Sequence, residues 1–117
     1  MKSSAVCALL LLGLVGCATP PVTYYYGNYS RTLYLSKKDN TPKSLERHRH
    51  MLEEIIQKSM DKGYRVPPGI YCEYAYLLAK EGDATADRYF NLEVTTYPES
   101  ERFVTFVRTQ IIKPKAS

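Results

Sequence analysis

TPKSLERHRHMLEEIIQKSMDKG, residues 41–63, decides the fold class of this chain. Leu45, Leu52, Ile55, Ile56 and Met60 recur at the spacing of one helical face, and His48 completes the stripe. Thr41 reads as the N-cap, Pro42 sits in the first turn where a missing N–H costs nothing, and Gly63 stands just past the end. The stretch is predicted to be one amphipathic helix with both boundaries written into it.

Downstream, Val66-Pro67-Pro68-Gly69 breaks that helix. Two prolines limit φ, Val66 is pushed out of helical geometry by the proline after it, and Gly69 permits a tight approach. We read Pro67, Pro68 and Gly69 as a structural corner, an exposed binding loop being the alternative. Pro68 can then open a second helix running to about Glu81, with Ile70, Tyr74, Leu77 and Leu78 inward. After the Gly82-Asp83 connection a third helix from Ala84 to about Tyr97 buries Ala86, Phe90, Val94 and Tyr97, and Pro98 stops it. Glu99-Ser100-Glu101 opens a last helix, with Phe103, Phe106, Val107 and Ile111 apolar, that ends before Pro114. No strand-period segment of useful length appears, so the predicted class is all-α, with about four helices.

Upstream, Tyr24-Tyr25-Tyr26-Gly27-Asn28-Tyr29-Ser30 and Thr32-Leu33-Tyr34-Leu35 form an aromatic stretch with a Gly-Asn turn signal in its middle. It is expected to be irregular, with a short helix at Ser30 to Leu35. Its tyrosines either pack across the helices that follow or present a face to a partner, and Tyr25, Tyr26, Asn28, Tyr29 and Tyr34 are the candidate partner-binding residues.

Residues 1–16 are read as a targeting segment. Lys2 precedes an apolar run of roughly ten residues, about half the length needed to span a bilayer as a helix. Leu14-Val15-Gly16-Cys17 resembles the bacterial lipobox, in which small residues before a cysteine admit it to the peptidase and the thiol takes a diacylglyceryl group. Cys17 then becomes the acylated first residue, and residues 17–23, with Pro20-Pro21, form an extended tether of up to about 20 Å. Two or three acyl chains hold where one binds only reversibly. Ala18 stands where an aspartate would cause inner-membrane retention, so the sorting rule implies the outer membrane, facing the periplasm. Residues 24–113 remain as one small helical domain.

Composition agrees with a folded chain, since 44% of the 117 residues are hydrophobic and 24% charged. Without its leader the chain keeps 15 basic against 12 acidic side chains. They are scattered rather than run together, so neither a nucleic-acid patch nor a polybasic membrane segment is implied. Once Cys7 leaves and Cys17 is acylated, Cys72 has no partner for an internal disulfide, and with Tyr71, Glu73 and Tyr74 around it we expect a small packed hydrophobe.

Catalytic chemistry finds little to stand on. His48 and His50 are two apart and point about 200° from each other on a helix, unlike the i, i+4 pair that holds a metal, so no metal or other cofactor is expected. With no other histidine, no Ser-His or Cys-His nucleophile can assemble. Glu73, Glu93 and Glu99 are the acids considered for a carboxylate pair. Glu93 shares a face with Ala86, Phe90 and Tyr97, and is read as a buried or half-buried acid satisfied by a tyrosine hydroxyl or an arginine. Replacing both histidines with glutamine is expected to change unfolding little.

Two resemblances add to this. Tyr76 to Pro98 resembles a tetratricopeptide-like hairpin through Gly82-Asp83, Ala86, Tyr89-Phe90 and Pro98, although the turn is one residue short and Glu93 stands where such repeats carry alanine. The mature chain resembles the bacterial lipoprotein family called domain of unknown function 4810. The residues that carry this are Tyr26-Gly27-Asn28-Tyr29-Ser30 with Leu33-Tyr34, Val66-Pro67-Pro68-Gly69-Ile70-Tyr71, Gly82-Asp83, and Tyr89-Phe90 through Glu93 to Tyr97-Pro98-Glu99-Ser100; Tyr25 or Tyr26 stands where tryptophan is frequent. The resemblance implies a gene neighbourhood with a lipoprotein similar to the curli secretion channel, and no activity.

The expected function is therefore a non-enzymatic, lipid-anchored adaptor of an envelope complex, its partners other envelope lipoproteins, with no nucleic acid and no small-molecule substrate. A pilotin-like escort for an outer-membrane channel subunit is the alternative, and an accessory of an envelope hydrolase the third.

Overall fold

A computed structural model describes residues 22–112. The leader, Cys17 and most of the tether lie outside the described residues. Within them the chain is all-helical: α1 (Tyr29–Asp39), α2 (Pro42–Asp61), α3 (Ile70–Lys80), α4 (Ala86–Thr96), a short 3₁₀ turn (Pro98–Ser100) and α5 (Glu101–Ile112). α3 is the central element, packed against α2, α4 and α5, while α1 lies on α2 and α4 meets α5.

The local causes are those of the sequence. Thr41 and Ser44 form a reciprocal capping box at the start of α2, with Pro42 in the first turn. Each hydroxyl satisfies a backbone N–H that the helix cannot, at 3.0 and 3.1 Å. α1 ends at Asn40 in the left-handed region, behind Lys37 and Lys38, whose charges oppose the dipole of the last turn.

Three expectations need correction. The first helix is not confined to Ser30 to Leu35 but has eleven residues, running from Tyr29 to Asp39. Its inner surface is made of half-buried Leu33 and Leu35 and of buried Ser36, whose hydroxyl folds back on the Leu33 carbonyl. A serine in that slot hides the helical period from an apolar pattern. In α2 the buried line runs Ser44, His48, Leu52, Ile55, Ile56, Ser59. Leu45 and Met60, assigned to the stripe, are exposed, because small serines hold the ends of the line instead. In α5 the residue that enters the core is Val104, and Phe103 and Phe106 stand outside it.

The core consists of Leu52, Ile55, Val66, Ile70, Cys72, Ala75, Leu78, Ala86, Phe90 and their neighbours. α3 buries residues on nearly every side, which fits its place between three partners. Its C-terminal end is tied to α2 by Arg49, which lies 3.4 Å from Glu46, 3.7 Å from Glu53 and 3.7 Å from Glu81. Arg108 similarly joins α5 to α4 through Asn91 at 2.9 Å.

Candidate functional site

The corner at residues 66–69 is where α4 grips the rest of the molecule. Gly69 has φ +88°, a conformation that other residues adopt only with strain, and this turns the chain from Pro68 into α3. Its N–H donates to Glu93 Oε1 at 2.8 Å. One helical turn along, Tyr97 donates its hydroxyl to the Val66 carbonyl at 2.7 Å. Glu93 is 1% exposed, and the Ser100 hydroxyl lies 3.4 Å from the same Oε1. Glu93 is thus buried as expected, but a backbone amide holds it rather than a tyrosine or an arginine. Pro67 is buried and Pro68 exposed, and α3 begins after both, at Ile70.

The aromatic segment folds over α2 and reaches α3. At Gly27, φ +49°, an added Cβ would come within 2.9 Å of Met51 Sδ, so the turn lies directly on α2. Tyr25 donates to Glu54 at 2.8 Å, and Tyr29 donates to Glu73 Oε2 at 2.7 Å. Tyr25 and Tyr29 are half-buried, whereas Tyr26, Asn28 and Tyr34 are exposed, so the five candidate residues are divided between packing and surface. Tyr34 points away on α1 with the Lys38 ammonium 5.8 Å from its ring centre.

A polar network, which the sequence did not reveal, joins three helices beneath Tyr29. Glu73 Oε1 meets His48 Nε2, and His48 Nδ1 lies 2.9 Å from the Thr32 hydroxyl. Burial alone would raise the Glu73 carboxyl. The hydrogen bonds from His48 and Tyr29, with the nearby charges of His48 and Lys37, outweigh it and hold the group below its ordinary value. A carboxylate can only accept, so Nε2 carries the hydrogen. His50, by contrast, is exposed and faces Glu46 and Glu53 at 3.2 and 3.1 Å.

The lowered value has a pH consequence with a definite sign. A carboxylate with a depressed folded pKa stabilises the fold above its unfolded value of about 4.3, and that contribution is lost as pH falls through the folded pKa. Urea unfolding of wild type and Glu73→Gln should therefore differ most near neutrality and converge in acid. A constant gap down to pH 3 would mean that the Glu73 charge plays no part.

Between these two constructions runs an apolar groove of about 660 Å³. Tyr26 and Tyr29 form one wall. Pro68, Gly69, Ile70, Cys72, Glu73 and Tyr76 supply the corner side, and Phe103, Phe106, Val107 and Gln110 of α5 the opposite one. Phe103 and Phe106 are 57% and 58% exposed and Tyr26 is 48% exposed. The Cys72 thiol is pushed up to about 11 by burial and by the charges of Glu93 and Glu73, so it stays protonated at neutral pH and contributes as an apolar surface. Glu73, the charged side chain in the lining, already has both oxygens bonded. What the groove offers chemically is apolar contact with aromatic edges.

The family model described as domain of unknown function (DUF4810) matches residues 23–107. The chain belongs to this family. The matched span begins at the aromatic segment and reaches Val107, so it includes the corner, the buried network and every groove-lining residue except Gln110. No curated protein and no solved structure matches the chain.

Proposed function

We propose that this member of the family is a non-enzymatic adaptor, anchored to the outer membrane by lipid on Cys17 and facing the periplasm, whose groove receives an apolar segment of a partner protein. The observation that carries the reading is the placement of Phe103 and Phe106. A helix of twelve residues turns two large aromatics to water beside an apolar channel, while Val104 is buried in the core and Val107 and Ile111 pack half-buried against it. Leaving such surface exposed is unfavourable, and contiguous apolar patches of this kind mark interaction sites.

Lipid anchoring is supported by the order of Lys2, the apolar run and Leu14-Val15-Gly16-Cys17, and outer-membrane sorting by Ala18. The hairpin of α3 and α4 with its short Gly82-Asp83 turn supports tetratricopeptide-like stacking, α5 being the helix whose outer face is left for a partner. The partner we propose is a lipoprotein similar to the curli secretion channel.

The test is capture from detergent-solubilised native membranes, with the wild-type chain and a Phe103→Ser/Phe106→Ser variant as bait. Aromatic anchors at the centre of an interface are worth about 2 kcal/mol or more each, so removing both should weaken binding by on the order of a thousandfold. Both side chains are more than half exposed, so thermal unfolding should hardly move. Undiminished recovery of envelope lipoprotein by the variant would sink the reading. Loss of the partner's own localisation when this protein is deleted would favour the escort role.

A further inference from the structure

A belt of tyrosines and cations lies where the described chain begins. Val22 is exposed, and the belt starts with the residues after it. The Tyr24 hydroxyl lies 3.5 Å from that of Tyr97, whose ring has the Arg65 guanidinium 5.6 Å from its centre. The Tyr25 ring has Lys58 and Lys62 at 5.5 and 5.2 Å, and Lys62 is also 5.8 Å from the Tyr64 ring. Lys58, Lys62, Tyr64 and Arg65 are all exposed. Two acids lie near. Glu54 is occupied by Tyr25 and lies 3.5 Å from Lys58, and Asp61 accepts from Gln57. Three cations against two acids leave this surface positive.

We propose that this belt seats the domain on the surface of a phospholipid bilayer that carries anionic headgroups. Tyrosines with an apolar body and a polar tip, and basic side chains whose stems lie along apolar surface, are the residue types that settle at the headgroup level. Anionic lipid attracts the cations. The length of chain selects this end of the molecule. Cys17 is five residues before Val22, so Val22 can stand no more than about 18 Å from an acylated Cys17. A second basic region, Lys37, Lys38 and Lys43 around the α1–α2 connection, lies at the opposite end of α2. It has no such tether. This inference rests on lipid anchoring for its geometry but not for its chemistry.

The chain has no tryptophan, so one introduced residue reports alone. Full-length protein carrying Tyr64→Trp, Val22→Trp or Leu45→Trp is purified from membranes, its acylation read by mass, and reconstituted in phosphatidylethanolamine–phosphatidylglycerol vesicles with brominated acyl chains. Leu45 is the far control, exposed and about 20 Å from Lys58 along α2. The Tyr64→Trp and Val22→Trp variants should shift to the blue and lose emission to bromine, and Leu45→Trp should do neither. Replacing Lys58, Lys62 and Arg65 with glutamine, or raising salt, should restore the emission at position 64. Equal emission at positions 64 and 45 in an acylated, anchored protein would overturn the proposal, since the domain would then stand off the bilayer. Quenching at position 45 instead would overturn it in favour of the other end. A blue shift at position 64 in native membranes, with no bromine quenching at that position in the vesicles, would overturn it in favour of a protein cover. If the mass shows no acyl group, the anchoring reading fails by itself. The same variants added to the vesicles from solution then decide the seating: quenching at 64 but not 45 upholds it, and quenching at neither overturns it.

Discussion

Glu93→Ala is expected to destabilise the domain by about 3 kcal/mol, which for a domain of this size lowers the melting temperature by roughly 10–20 °C. Two losses combine. The Gly69 N–H loses its acceptor at 2.8 Å at a place that water does not reach freely, and a cavity opens beside Phe90, itself 2% exposed. The corner also needs that bond more than an ordinary turn would, because Gly69 holds a left-handed conformation with φ +88°. Tyr97, the residue that caps the C-terminus of α4, still supports Val66, so this end of the helix would keep one of its two grips. Glu93→Gln retains an acceptor oxygen of the same length and should stay within about 1 kcal/mol of wild type. Thermal and urea unfolding of the two variants decide the matter. Equal losses would show that shape rather than the hydrogen bond holds the corner.

His48→Ala should cost about 2–4 kcal/mol and should act first on α1. The ring is 4% exposed and spans from Thr32 on α1 to Glu73 on α3. Removing it leaves a half-buried carboxylate with Tyr29 as its remaining donor, and breaking one side of such a pair costs more than the pair was worth. Glu73 keeps some access to water, which brings the figure below that for a fully buried ion pair. A His48→Ala/Glu73→Ala double variant should therefore be less destabilised than the two singles added together. Hydrogen exchange should show α1 amides losing protection before those of α3. His50→Gln should change stability by less than about 0.5 kcal/mol, because that ring is exposed. Full protection of α1 in His48→Ala would mean that apolar packing by Leu33 and Leu35 suffices. The two histidines, which look alike in sequence, thus differ, and the expectation that both can be replaced at little cost fits His50 alone.

That contrast shows what a one-dimensional pattern can carry. The long helix from Pro42 to Asp61, the breaks at Val66 to Gly69 and at Pro98, and the inward faces of the third and fourth helices all follow from spacing, capping and proline geometry. These causes act within a few residues. The same reasoning failed where burial did not coincide with apolar character. Ser36, Ser44 and Ser59 occupy buried slots, while Leu45, Met60, Phe103 and Phe106 stand in water. The groove was illegible for a related reason. Its walls come from residues 26–29, 68–76 and 103–110, brought together only by the path of the chain. The network of Tyr29, His48 and Glu73 joins positions 44 and 25 residues apart, with no local period to announce it. Glu93 stood out as an acid on an apolar face, but its partner was a backbone amide, which no residue type betrays.

Two atoms in the groove walls are fixed by hydrogen bonds within the domain: the Tyr29 hydroxyl by Glu73 and the Gly69 amide by Glu93. The conformational entropy of those walls is therefore surrendered when the domain folds, before anything arrives. Association then has to restrict only the incoming segment and the rotamers of Phe103 and Phe106. Each immobilised side chain of that kind costs about 0.5–1.5 kcal/mol, far less than ordering a loop. A partner that is itself flexible would bear nearly all of the ordering, and its rate of folding onto a waiting surface, rather than any rearrangement of this domain, would set how fast the complex forms.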